Sequence, residues 1–149
     1  MNTLFSKLSS KVFLMGLLTM PALAVAADAI EVYKSPYCGC CEKWVDHMQQ
    51  HGFEMTIHNK ANLAPIKEKL GVVPAAGSCH TASIAGYFIE GHVPAEDVKR
   101  LLEEKPDIRG IAVAGMPMGS PGMEGHHKAA YDVITVHKDG STSVFNNYK

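Results

Sequence analysis

The chain carries almost no net charge: 14 Lys+Arg stand against 15 Asp+Glu, a formal -1 at pH 7. Nucleic-acid binding by a basic face is therefore excluded. Only 19% of the 149 residues are charged and mean hydropathy is near zero, which is not the composition of a disordered chain. There is no glycine-rich phosphate loop, no Ser–His–Asp signature and no internal repeat. The longest apolar stretch, Val12 to Leu18 extended by Thr19 to Val25, is broken by Pro21. A membrane-spanning helix needs about 20 apolar residues, so an anchor is disfavoured. What the chain does have is 46% hydrophobic residues, enough for one core, and a large stock of soft-metal ligands: four Cys, eight His and eight Met.

Lys7 and Lys11 precede the apolar stretch, and Ala22-Leu23-Ala24 and Ala24-Val25-Ala26 follow it as small-x-small cleavage patterns. A basic start, a short apolar middle and a small-residue exit describe a secretory signal peptide. The expected organisation is a cleaved leader at 1–26 and one domain at 27–149. The leader carries two lysines and no acid, so the exported chain is mildly acidic. The expected location is the periplasm.

Export places the cysteines in an oxidising compartment, where an even number first suggests structural disulfides. Three of the four, however, fall within Cys38-Gly39-Cys40-Cys41. Bridges among them would close very small rings and stabilise little. A disulfide framework alone does not explain that spacing.

Along the exported chain, Ala29 to Lys34 alternates as a strand and Ser35-Pro36-Tyr37 turns it. From about Cys41, the residues Trp44, Val45 and Met48 have helical spacing, and His51-Gly52 is a stop signal. Phe53 to His58 reads as a second strand and Leu63 to Leu70 as a short helix ended by Gly71. Thr81 to Glu90 is one long strand or a hairpin about Ala85-Gly86. Pro94 opens a helix running through Glu104, with Val98, Leu101 and Leu102 inward and Pro106 beyond its end. Gly115 to Gly125 (GMPMGSPGMEG) has no periodicity and reads as a flexible loop. Tyr131 to His137 and Thr142 to Tyr148 flank an Asp139-Gly140 turn as a β-hairpin. The expected fold class is α/β or α+β, as a single domain.

Three constellations can carry chemistry. Cys38, Cys40 and Cys41 lie where a strand gives way to a helix start, and unpaired N–H groups there favour thiolate over thiol. Cys38-x-x-Cys41 is also the spacing of thiol–disulfide oxidoreductases, although Cys40 would compete in any mixed disulfide. Cys79-His80 follows Val73-Pro74 and can fold back toward the triplet, or His80 can be an ordinary loop histidine. Met116, Met118, Met123, His126 and His127 lie among glycines and prolines, where thioethers and imidazoles suit Cu(I), unless the loop is Met-rich by chance. His47 and His51 are one helical turn apart and could pair on a metal, but are expected on the solvated face opposite Trp44, Val45 and Met48. His58, His92 and His137 are read as structural, and Glu42 and Asp46 as first-turn acids favouring the helix dipole.

Zinc favours four ligands from two C-x₂₋₄-C-type pairs, a layout this chain does not match well, and an iron–sulfur cluster, which needs four suitably spaced thiolates, is not expected in an exported acidic domain. Copper accounts for the Cys, Met and His together, with bridging sulfurs able to hold several ions.

The segments YKSPYCGCCEKW, GVVPAAGSCHTA, YFIEGHVPAEDVKRLL and GIAVAGMPMGSPGME together resemble the CopG-type family of exported bacterial copper-resistance proteins, catalogued as a metal-binding domain of unknown function. The resemblance covers nearly all of the exported chain. It implies a thioredoxin-like domain with a Met-rich loop and C-terminal hairpin. It further implies a multinuclear copper cluster bridged by Cys38, Cys40, Cys41 and Cys79, redox-active toward copper. His80, Met116, Met118 and Met123 are flanking ligands by this comparison; His126 lies past the firmest motif and enters on loop composition. The expected partners are copper ions and, among proteins, periplasmic copper carriers, oxidases or efflux components. Two other functions fit the residues: a thiol–disulfide oxidoreductase using Cys38 and Cys41, and a copper carrier without redox chemistry.

Overall fold

The structure, a computed structural model, describes residues 29–149; the leader expected at 1–26 lies outside them. One sheet of seven strands carries three helices. In chain order the elements are β1 (Ile30–Lys34), α1 (Gly39–Gln50), β2 (Met55–Asn59), α2 (Ala64–Leu70), β3 (His80–Ile84), β4 (Tyr87–Glu90), α3 (Ala95–Glu104), β5 (Gly110–Ala112), β6 (Tyr131–Val136) and β7 (Thr142–Tyr148), with a 3-10 turn at Pro74–Ala76. The strand order is β2-β1-β3-β4-β5-β6-β7. β1 pairs parallel with β2 and antiparallel with β3, and β4 pairs parallel with β5.

Alternation along the strands explains the layering. Ile89 and Ile111 turn to a core shared with Trp44, Val45 and Met48 of α1 and Val98 and Leu101 of α3. Their neighbours Phe88 and Ala112 turn the other way, onto Ala76 and Val136, flanked by Leu70 at the end of α2. The central strands are thus covered on both faces. Among the described residues no helix is long and apolar enough to cross a membrane.

The mixed α/β architecture expected from the pattern is what is found; of the two readings of residues 81–90 the hairpin is the one that forms, and three other details differ. Residues 81–90 form a hairpin, β3–β4, turning at Ala85 (φ 51°) and Gly86 (φ 86°). That pair of left-handed residues makes the tight turn that suits twisted strands. β5 was not visible in the pattern: its three residues are all buried, so no polar alternation marks it. The 115–125 segment is a loop but not a loose one. Gly119 N–H donates to the Met123 carbonyl and Met123 N–H to the Ser120 carbonyl, each at 2.8 Å, and Ser120 is fully buried. Finally, Asp46 sits in the middle of α1, not its first turn, and Glu42 pairs with the buried Lys34 ammonium at 2.5 Å.

Candidate metal centre

The site is built where β1 hands over to α1. Cys38 is the N-cap of α1 in extended conformation (φ -86°, ψ 91°), with no side chain capping the first turn. Cys40 and Cys41 follow within that turn. Uncapped N–H groups and the positive end of the helix therefore face the sulfurs. Cys41 is fully buried against the core, while Cys38 and Cys40 are half-buried.

Cys79 arrives from the segment before β3. Its position is fixed by a buried carboxylate: Glu90 of β4 accepts from Ser78 N–H (2.6 Å), from Thr81 Oγ1 (2.6 Å) and from Lys67 of α2. Three donors thus clamp the residues on either side of Cys79. Burial raises the Glu90 carboxyl pKa, and the Lys67 and Thr81 hydrogen bonds oppose that shift.

Cys38 and Cys41 are joined as a disulfide across Cα atoms 5.3 Å apart, and Cys40 and Cys79 are free. The resemblance implied four bridging thiolates; in the structure Cys38 and Cys41 are instead bonded to each other. One turn of helix brings Cys38 and Cys41 within ordinary bridging range. Each end of the bridge has a free thiol beside it: Cys40 Sγ is 3.4 Å from Cys38 Sγ, and Cys79 Sγ is 3.5 Å from Cys41 Sγ. All four sulfurs lie within 4.8 Å of one another.

His80 lies in the wall of this site. Its ring is fully buried, tilted against Trp44 with centroids 4.4 Å apart, and its Nδ1 is 3.5 Å from Cys79 Sγ. His80 Nε2 is buried and without a hydrogen-bond partner among the described residues. Burial, and after it His92 and Lys67, hold this imidazole neutral with a pKa well below the usual value. Trp44 is itself fixed by Nε1–H donating to the Val93 carbonyl at 2.9 Å.

His92, with no ligand-like neighbours in sequence, is expected to be structural. Instead its Nε2 lies 3.0 Å from Cys79 Sγ, closer than His80. Its Nδ1–H donates to the Pro121 carbonyl at 2.8 Å, which leaves Nε2 bare toward the sulfur. Burial lowers the His92 pKa, so the neutral acceptor is the resident form at neutral pH. Burial, then the nearby Cys40, pushes the Cys79 thiol up to about 11.

The Met-rich loop closes over α1 at Gly122. A Cβ there would stand 2.6 Å from the Cys40 carbonyl oxygen and 2.9 Å from Trp44 N, and φ is +84°. Only glycine permits that approach. Met118 and Met123 then line a cavity of about 410 Å³ together with Gly39, Cys40, Lys43 and Glu124. Met116 and His126 are exposed and line neither this cavity nor the group of sulfurs. The donor set suits a soft cation: four sulfurs in mutual contact, two buried imidazoles beside one of them, and thioethers at the mouth.

Comparison with known proteins follows the same residues. A protein-family profile described as "Protein of unknown function, DUF411" matches residues 76–123, which include Cys79, His80, His92 and the Met-rich loop. No curated protein matches the chain. Two solved structures, "Copper resistance protein copG- Form 1" and "Form 2", are each 46% identical with a TM-score of 0.77. The first alignment covers 82% of this chain and 98% of that one, the second 81% and 98%. With nearly half its residues identical across the whole of these structures, the chain belongs to the CopG family of copper resistance proteins.

Proposed function

We propose that this protein takes copper as its cargo in copper resistance, holding several ions through Cys38, Cys40, Cys41 and Cys79 as shared, bridging sulfurs. The observation that carries the reading is the convergence of Cys79 on the helix-borne triplet from 38 residues away, with Cys79 Sγ 3.5 Å from Cys41 Sγ. Thiolate is the soft ligand Cu(I) prefers, and a thiol pushed to about 11 stays protonated until a metal displaces its proton. His80 and His92 flank that sulfur, and Met118 and Met123 supply thioethers at the entrance; Met116 and His126 are assigned a capture role outside it.

The Cys38–Cys41 pair supports a redox role. Two thiols reducing two Cu(II) to two Cu(I) release two protons and close as one disulfide, leaving Cys40 and Cys79 as thiols to hold the product. Reopening the bridge takes two electrons and two protons from an external dithiol, itself oxidised to a disulfide, and returns all four sulfurs to the cargo. The β1-α1-β2-α2-β3-β4-α3 order with strands arranged β2-β1-β3-β4 supports a thioredoxin-like reading of residues 30–104. The basic, apolar and small-residue sequence of 1–26 supports export to the periplasm.

One observation favours a second reading. Cys38 is partly exposed, Cys41 is buried and the two are bridged, as a thiol–disulfide oxidoreductase requires. Copper counting by elemental analysis on protein loaded under reducing, anaerobic conditions separates the two. The copper reading predicts more than one ion per chain. Less than one, together with rapid disulfide exchange on a model substrate, supports the oxidoreductase. Spectroscopic cycling between Cu(I) and Cu(II) separates redox handling from simple carriage.

A further inference from the structure

Among the described residues, Cys79 belongs to two groups of potential ligands. One is the four cysteines; the other is Cys79 with His80 and His92, whose ligand atoms also lie within 4.8 Å of one another. The β3–β4 hairpin makes the second group. His80 opens β3 and His92 lies just past the end of β4, so the two rings meet edge to face with centroids 5.0 Å apart. Both imidazoles are fully buried.

Neither facing nitrogen is engaged by another group among the described residues. His92 Nε2 meets the Cys79 sulfur at 3.0 Å while its Nδ1–H donates to the Pro121 carbonyl, the way metal-binding histidines are oriented. His80 Nδ1 meets the same sulfur at 3.5 Å, and its Nε2 has no partner. A buried polar group normally has one. The thiol carries a single proton, which serves His92 and leaves His80 unmatched. In its Nε2–H tautomer His80 turns a lone pair to the sulfur, so one sulfur and two nitrogens converge as three donors. Ordinary metal–nitrogen and metal–sulfur bonds in a trigonal arrangement would set neighbouring donors about 3.5–3.7 Å apart, close to the spacing found. The Trp44 ring, against His80, keeps water from this wall.

We propose that Cys79, His80 and His92 form a single-ion Cu(I) site that remains available while the Cys38–Cys41 bridge is closed. The inference rests on the copper reading of the sulfurs and names the residues that keep one ion of the cargo once the bridge has formed. One thiolate and two imidazoles suit Cu(I) at three-coordination, whereas Zn(II) takes four ligands. Binding releases the Cys79 thiol proton to solvent and changes no oxidation state. Opening the bridge frees Cys41 Sγ, 3.5 Å from Cys79 Sγ, so Cys79 can exchange imidazole partners for sulfur partners without leaving its place.

The test uses the purified Cys40→Ser variant with its disulfide closed, verified by one free thiol per chain. Cu(I) is added anaerobically, without reductant, against a chromogenic chelator. One Cu(I) per chain is expected, with an X-ray absorption shell of one sulfur and two nitrogens and no copper–copper vector. In that background His92→Ala and His80→Phe each lower affinity about 10-fold or more and remove one nitrogen from the shell. His80→Phe keeps a ring against Trp44, and unchanged circular dichroism verifies that both variants fold. No copper in the closed form, while the reduced wild type takes up several ions, overturns this site and leaves the sulfur account standing; no copper in either overturns both. Copper held by the closed wild type but lost in Cys40→Ser identifies a Cys40–Cys79 sulfur pair and overturns the site. So does a shell that neither histidine variant alters.

Discussion

Cys79 Sγ and His92 Nε2 lie 3.0 Å apart because the β3–β4 hairpin folds at Ala85–Gly86. Thr81 pairs with Glu90, and continuing that register past the strand ends sets position 79 opposite position 92. A thiol and an imidazole are thus brought together by a turn six residues from either. The Pro121 carbonyl then fixes which nitrogen meets the sulfur.

Replacing His92 is therefore expected to weaken copper binding without unfolding the protein. His92→Ala removes the neutral acceptor beside Cys79 and should cost about 10-fold or more in Cu(I) affinity, measured by competition with a chromogenic Cu(I) chelator. Wild-type affinity in this variant would show that the pairing is structural only.

Cys40 separates shared coordination from a simple redox pair. Cys40→Ser should lower the number of coppers bound per chain, yet the Cys38–Cys41 disulfide should still form, since Cys40 is not part of it. Full copper loading in Cys40→Ser, counted by elemental analysis, would contradict the four-sulfur account.

Gly122 fastens the Met-rich loop to α1, so Gly122→Ala should destabilise the protein by about 1–3 kcal/mol, through left-handed strain and the clash with the Cys40 carbonyl. The expected readout is a lower denaturation midpoint in urea together with faster alkylation of Cys40. A neutral effect on both would mean that the loop does not pack as described.

The metal-free protein should lose stability as pH falls. Burial holds the His80 pKa well below, and the His92 pKa below, the value of 6.5 they regain on unfolding. Below that value the unfolded chain binds more protons than the folded one, so stability is complete above it and declines as pH drops toward the folded values. Denaturation midpoints should decrease between about pH 7 and pH 5. His80→Phe, which keeps a ring against Trp44 and cannot take a proton, should flatten that slope; an unchanged slope would contradict it.

Much of this was legible in the residues. The alternation of β1, the spacing of Trp44, Val45 and Met48, the proline-opened α3 and the Asp139–Gly140 hairpin are local signals, and each element formed where its pattern lay. The Cys-Gly-Cys-Cys triplet and Cys79-His80 were legible as chemistry. Three features were not. β5 is buried on both faces and only three residues long, and its Gly110 is required by the Phe88 carbonyl, 2.2 Å from where a Cβ would stand. The order of the 115–125 loop resides in backbone hydrogen bonds and one glycine contact, which leave no periodicity. His92 looked isolated because its partner is distant in sequence. Of the two readings open for 81–90, the hairpin about Ala85–Gly86 is the one that aligns it with Cys79.

The most direct test of the central claim is X-ray absorption at the copper edge on the Cu(I)-loaded protein and its Cys79→Ser variant. The account predicts a first shell dominated by sulfur and a short copper–copper vector in the wild type, with that vector lost in Cys79→Ser. A nitrogen and oxygen shell with no copper–copper vector, or a spectrum indifferent to Cys79, would contradict it.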